Sequence, residues 1–375
     1  MVMASRPEVE VASAPVALVD LLGLAGAFAG AALRIPLRAP WHGTSSPLRN
    51  VAVASTREFV RSLMGYVTAL PIDEFRAVEK VLDEVSGVLL RPFVAARRVG
   101  MTSATVGGLP GLWFRPEVGE AVGTIVYVHG GGYIGTSPGM YAVFMAHLAR
   151  TSQCEVFVAD YRLAPEFPYP AASDDIAAVI RELVDTGIAS DRLFLAGDSS
   201  GGGLASSVLA SCALEGLAAP AALILFSPEV SLVLDQPSVS DNAKLDILPW
   251  NIPTNPYLHG ADPNDPAVSA LRQPLAHWPP TFVVYGGDEM FRDAIREFVD
   301  RLDEAGVDYE AHEVPGMFHV FPFLLPWTAE SRETYRWVGE FLTRVAAGTA
   351  KCVASSPPES DDELAMPPSP TARPG

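Results

Sequence analysis

An α/β fold, with a mostly parallel central sheet and helices on both faces, follows from three features of this 375-residue sequence. Short, continuous apolar runs of strand length recur from about Arg98 onward, as expected for parallel strands buried on both faces. Helix-length patterns alternate with them, which is the order of a doubly wound sheet. Several of those helical patterns close on a glycine suited to a helix C-cap.

The strand candidates are TIVYVH (124 to 129), EVFVADY (155 to 161), RLFLAG (192 to 197), ALILFSP (222 to 228) and TFVVYGG (281 to 287), with YEAHEV following as a further strand pattern. The helical patterns between and after them are MYAVFMAHLART, ASDDIAAVIRELVDTG, GLASSVLASCALEG, AIREFVDRLDEAG and AESRETYRWVGEFL. Two stretches stand outside the alternation: residues 1 to 97, largely helical in pattern, and a Pro- and Asn-rich insertion at about 229 to 274. Both suit a helical cap on a catalytic domain spanning 98 to 348. The Pro-, Ser- and acid-rich end, 349 to 375, reads as a disordered tail.

Composition narrows the function. With 49% hydrophobic residues the chain can bury a large core, and its formal charge of −18, without a dense basic run, argues against a nucleic-acid partner. Cys154, Cys212 and Cys352 are odd in number and far apart, with no CxxC pair, so neither a disulfide scaffold nor a metal site is indicated, and a cytoplasmic, reducing location is compatible. The apolar run Leu21 to Leu33 could pass for a secretory segment. However, Glu8, Glu10 and Asp20 precede it with Arg6 as the only cation, and it is shorter than the ~18 to 20 residues that span a bilayer. A helix packed on the protein is the first reading, aided by Gly23, Gly26 and Gly30; membrane contact is second and cleavage third.

Ligands of open α/β sheets bind beyond the carboxyl ends of the strands. After RLFLA comes GDSSGGG (197 to 203), a G-x-S-x-G in the strand-turn-helix setting of a nucleophile elbow. Ser199 has Gly197 and Gly201 two positions to either side, whereas Ser200 would have Asp198, so Ser199 is the candidate nucleophile. A serine needs an imidazole base and a group that orients it. His319, on a turn after the YEAHEV strand, fits the base; His312 lies within that strand, and His42, His147, His259 and His277 fall in peripheral segments. For the acid, Asp288 follows a strand directly and is preferred to Asp293, which also suits the first turn of a helix. The order Ser, Asp, His is that of the α/β-hydrolases. HGGG at 129 to 132 follows TIVYV, where backbone N–H groups could approach an oxyanion, and His129 there would brace the loop through its ring rather than act as base.

With HGGGY, GDSSGG, DYRLAPEFPYPA, GGDEMFRD and GMFHVF in order, the chain from about Arg98 to Gly348 resembles the hormone-sensitive-lipase-like family of α/β-hydrolases, and within it actinobacterial carboxylesterases. The resemblance implies a cofactor-free serine carboxylesterase acting on short- to medium-chain esters. Its triad would be Ser199, Asp288 and His319. The oxyanion hole would be drawn from Gly130, Gly131, Gly132 and Ser200, with Gly130 serving the turn. It also implies the cap built from the two segments set apart above. An amidase or lactonase could use the same triad, and a hydrolase-fold receptor is the alternative from another class, although such receptors lack the histidine that is present here. A homodimer is compatible with this reading. Two departures stand out: Ser200 occupies a position where the family more often has alanine, and SPEVSL carries Glu229 where relatives often have an aromatic residue.

Overall fold

Apolar, mostly β-branched and aromatic runs become the parallel centre of one sheet. In a computed structural model, which describes residues 9–35, 47–215, 219–248, 255–276, 278–348 and 353–354, the strands are β1 (Val99–Val106), β2 (Leu109–Pro116), β3 (Thr124–Val128), β4 (Glu155–Ala159), β5 (Leu193–Asp198), β6 (Ala222–Phe226), β7 (Thr281–Gly286), β8 (Tyr309–Val314) and the two-residue β9 (Val353–Ala354). Their spatial order is β1-β2-β4-β3-β5-β6-β7-β8-β9. From β4 through β9 all pairings are parallel, while the β1–β2 hairpin joins antiparallel to β4. Every residue of β3, β5, β6 and β7 is buried, which explains why those strands read as unbroken apolar runs. His42, His277, Cys352 and the tail from 355 onward lie outside the described residues.

The helices are α1 (Ala14–Arg34), α2 (Pro47–Val67), α3 (Ile72–Leu89), α4 (Arg91–Ala95), α5 (Ala142–Ser152), α6 (Ala171–Asp185), α7 (Ser199–Glu215), α8 (Pro237–Asp241), α9 (Asn255–Leu258), α10 (Arg292–Glu304), α11 (Phe321–Leu324) and α12 (Ala329–Ala346). Helices α5, α6, α7, α10 and α12 are those that the sequence pattern places between and after the strands.

The N-terminal helices touch the loops at the strand ends. Arg76 of α3, 8% exposed, forks onto Glu166 at 2.8 and 2.7 Å, and donates to the carbonyls of Ile134 at 2.6 Å and Ala164 at 2.8 Å. One guanidinium therefore clamps the loop after β3 to the loop after β4. Such a bidentate fork fits Arg and not Lys. Asp83, also on α3, accepts from the Ser137 hydroxyl at 2.6 Å and the Gly139 N–H at 3.1 Å. On α2, Arg61 donates to the Asp246 carbonyl at 2.8 Å and to the Ala243 carbonyl.

Helix α1 packs on α2 and α3, but less tightly than its glycines suggest. A Cβ at Gly23 would strike the Tyr66 ring, whereas Gly26 has open space around it and Gly30 meets only the Arg34 side chain. Ala17, Asp20, Leu24 and Ala31 are buried, and Leu18, Val19, Leu22 and Leu33 are exposed. By length and composition this helix could also cross a membrane.

Candidate active site

The carboxyl ends of β3, β5, β6, β7 and β8 deliver the site. Between β5 and α7 the chain turns so sharply that Ser199 sits at φ +53°, a left-handed conformation that a non-glycine residue adopts at a cost of order 1 kcal/mol or more. The turn also presses α7 against the end of β3. A Cβ at Gly201 would lie 2.2 Å from the Val128 carbonyl oxygen, so that position admits only glycine. The Ser199 hydroxyl is 2.8 Å from Nε2 of His319.

On the other side of the imidazole, the carboxylate at Nδ1 is Glu289, at 3.1 Å, rather than Asp288. The chain leaves β7 at Gly286 and turns at once: the Asp288 N–H donates to the Met317 carbonyl at 3.0 Å, and its side chain is half-buried. The next residue, Glu289, is fully buried. Asp293 is occupied elsewhere, accepting from the Ser238 N–H at 2.9 Å and pairing with Arg292. Residue type could not have chosen between adjacent carboxyls; only the path of the turn does.

Electrostatics suit a base at His319. Burial pulls the imidazole below its ordinary 6.5, opposed by the negative charges of Asp246 and Asp198. Burial also raises the Glu289 carboxyl well above the usual range, with the Ser227 hydroxyl acting against it. Neutral histidine is therefore the resting state near neutral pH, as proton abstraction requires.

The glycine loop is held by a carboxylate that no motif in the sequence marks. Asp198, the x of G-x-S, is 1% exposed and accepts from the Tyr127 hydroxyl at 2.8 Å, the Gly130 N–H at 3.0 Å and the Tyr141 hydroxyl at 2.9 Å. Burial lifts its carboxyl to about 6, with these donors pulling the other way. Because the Gly130 N–H is spent on Asp198 and Tyr141, Gly130 is the loop's anchor and not an oxyanion donor. The N–H groups of Gly131 and Gly132 donate to no protein group among the described residues. Gly131, at φ +122°, has the Gly135 carbonyl oxygen 2.2 Å from where a Cβ would stand. The Ser200 N–H lies in the first turn of α7, where a helix leaves its donors unpaired.

His129 lies beneath this loop. Its ring stacks on Tyr161 at 4.3 Å, its Nδ1 is 3.0 Å from the Gly130 carbonyl and 2.9 Å from the Thr136 hydroxyl, and burial lowers it to about 4. A neutral Nδ1–H tautomer donating to Gly130 satisfies that geometry. The Ser200 hydroxyl is not idle either, since it accepts from the Tyr133 N–H at 3.2 Å. His147 and His312 lie elsewhere, stacked on Tyr335 and Trp337.

A family model for the alpha/beta hydrolase fold matches residues 125–323, more than half of the chain. The chain belongs to this family. An acetyl-hydrolase of Streptomyces hygroscopicus is 33% identical over 65% of the chain and 82% of its own length. Among solved structures, an esterase soaked with p-nitrophenyl butyrate superposes with a TM-score of 0.70 at 30% identity, covering 81% of this chain and all of that one. An esterase of the bacterial hormone-sensitive lipase family superposes at 0.65 with 27% identity, covering 90% of this chain and all of its own. The chain is a hormone-sensitive-lipase-type member of the family and a carboxylic ester hydrolase.

Substitutions separate these contacts. Ser199→Ala and His319→Ala should each lower kcat by ~10⁴-fold or more, and Glu289→Gln by about 10³ to 10⁴. Asp288→Asn and Asp293→Asn should stay within about tenfold of the unaltered enzyme. Ser200→Ala should keep most turnover while losing about 1 kcal/mol of stability through the freed Tyr133 N–H. Initial rates and urea unfolding of the series decide; a crippled Asp288→Asn beside a healthy Glu289→Gln would reverse the acid assignment.

Glu229, whose N–H donates to the Ser199 carbonyl at 2.9 Å, is buried with Oε1 unpartnered, and burial lifts its carboxyl to about 8. The folded protein therefore keeps a proton that the unfolded chain releases near 4.5, so this group lowers stability progressively as pH rises from 4.5 toward 8. Glu229→Gln should flatten that decline, measured as the difference in melting temperature between pH 5 and pH 8. An unchanged difference would mean that the carboxyl is ionised in the fold.

Proposed function

We propose that the protein hydrolyses short- to medium-chain carboxylic esters through an acyl-enzyme, with Ser199 as nucleophile, His319 as base and Glu289 as the group that orients it. The observation that carries this reading is the unbroken relay from Ser199 Oγ to His319 Nε2 at 2.8 Å and from Nδ1 to Glu289 at 3.1 Å. Ser199 attacks the ester carbonyl while His319 takes its proton. Negative charge grows on the carbonyl oxygen and is received by the N–H groups of Gly131, Gly132 and Ser200. Backbone donors aimed at that charge are worth ~10² to 10³ in rate each. His319 then returns the proton to the departing alcohol, leaving Ser199 acylated. Water, deprotonated by the same imidazole, releases the acid and restores the serine.

In this reading residues 1–97 and 229–274 form the cap over the site. The contacts of α3 with the loops after β3 and β4, and of α2 with residues 243–246, support that assignment. A small ester is the substrate, with no nucleic acid involved given the charge of −18, and the compartment is cytoplasmic.

A panel of p-nitrophenyl esters of increasing acyl length, run beside the matching anilides, tests the proposal. Turnover should peak at short or medium acyl chains and fall by orders of magnitude on anilides. Because burial lowers the His319 imidazole, kcat/KM should rise to its plateau on the acid side of 6.5. Faster anilide than ester cleavage would make the enzyme an amidase, and no turnover of any ester would favour a binding role.

A further inference from the structure

The insertion after β6 contributes a buried carboxylate to the catalytic loops. Asp246 is fully buried, and its Oδ1 accepts from the His319 N–H at 3.0 Å and the Ile247 N–H at 2.7 Å. Its Oδ2 accepts from the N–H of Met290, the residue after Glu289, at 2.7 Å. Three N–H donors turned on it favour the carboxylate; burial works against them and lifts the carboxyl to about 6, so the side chain is an anion above that pH. The same strap grips the acid loop further along. Asn242 donates to the Glu289 carbonyl at 2.9 Å, and the Ser238 hydroxyl to the Met290 carbonyl at 2.7 Å.

We propose that Asp246 is a positioning residue for the triad: its carboxylate ties the loop bearing Glu289 to the loop bearing His319 and supplies a second negative charge to the imidazolium formed during turnover. The inference rests on the triad reading above. The loops leave different strands, β7 and β8, and each carries one partner of a hydrogen bond that fails if they drift by an ångström. Asp246 spans both with one rigid group.

The N-terminal region reaches this anchor too. Arg61 of α2 holds the backbone of Asp246 and Ala243 through its guanidinium, so the placement of the carboxylate depends on that helix. The titratable groups facing His319 are Glu289 at Nδ1, Asp246 at its backbone and Asp198 from the elbow, of which Asp246 and Asp198 act on it as negative charges; those facing Asp246 are His319 and Glu289. Removing the Asp246 charge therefore takes away support for the protonated imidazole.

Asp246→Asn is the direct test, assayed on a p-nitrophenyl ester with Ser199→Ala in parallel. A drop in kcat of about 10- to 100-fold is expected, the range seen when partners of site-forming side chains are lost, with KM within about twofold. The acid limb of kcat/KM should move to lower pH, a change that a merely structural role would not produce. A folded Asp246→Asn enzyme with unaltered kcat and acid limb, or with only KM raised, overturns the proposal. If that variant does not fold, Arg61→Met serves: a several-fold fall in kcat at constant KM supports the coupling, and unchanged kcat refutes it. An active Ser199→Ala enzyme would bring down the triad reading and this inference with it, whereas an inactive one beside a healthy Asp246→Asn sinks the inference alone.

Discussion

A negative charge kept in the core of a sheet protein must be surrounded by donors, and meeting that demand at Asp198 organises the site. The carboxylate sits at the last residue of β5, immediately before Ser199. Its donors come from three other places: Tyr127 on β3, Gly130 in the glycine loop and Tyr141 before α5. An unpaired ion there would cost several kcal/mol, so the loop cannot leave without exposing the charge to an apolar interior. The distance between Ser199 and the N–H groups of Gly131 and Gly132 is thereby fixed by a contact that touches neither.

The same device recurs at larger radius. Arg76 is the cationic counterpart, a buried guanidinium that joins the glycine loop to the loop after β4, and Asp246 joins the loops after β7 and β8. Arg76 and Asp246 each belong to a segment outside the core alternation of strands and helices; Asp246 is satisfied by backbone N–H groups, and Arg76 by the Glu166 and Glu79 carboxylates together with two loop carbonyls. Loops held this way need little packing of their own, which leaves room for a substrate. The parallel sheet supplies the compensating stability through its wholly buried strands.

Legibility from sequence followed burial. Strands β3 to β7 are recognisable because parallel strands covered on both faces are apolar almost throughout, and the elbow is recognisable because Gly197 and Gly201 flank the only serine that such a turn can present. His319 stood out by its place after a strand. The β1–β2 hairpin carries exposed polar residues, Thr102, Ser103 and Thr105 among them, and gives no comparable run. The carboxylate at the imidazole lies one residue beyond the Asp288 that the sequence favours, because Asp288 and Glu289 offer the same chemistry and the turn after β7, where the Asp288 N–H meets the Met317 carbonyl, leaves Glu289 as the buried one. Asp198, Asp246 and Arg76 are illegible for a related reason: their roles rest on partners distant in sequence, tyrosine hydroxyls, carboxylates and backbone groups alike, and an isolated Asp or Arg gives no hint of them.

In the proposed mechanism one serine, Ser199, becomes covalently acylated and no other residue replaces it. Inactivation with a p-nitrophenyl phosphonate, followed by peptide mass mapping, tests it most directly. One equivalent of p-nitrophenol should be released as activity is lost, with the added mass confined to the peptide containing Ser199 and absent from the Ser199→Ala protein. Full labelling that leaves ester hydrolysis intact, or an adduct on Ser200 or any other residue that tracks with inactivation, would contradict the account.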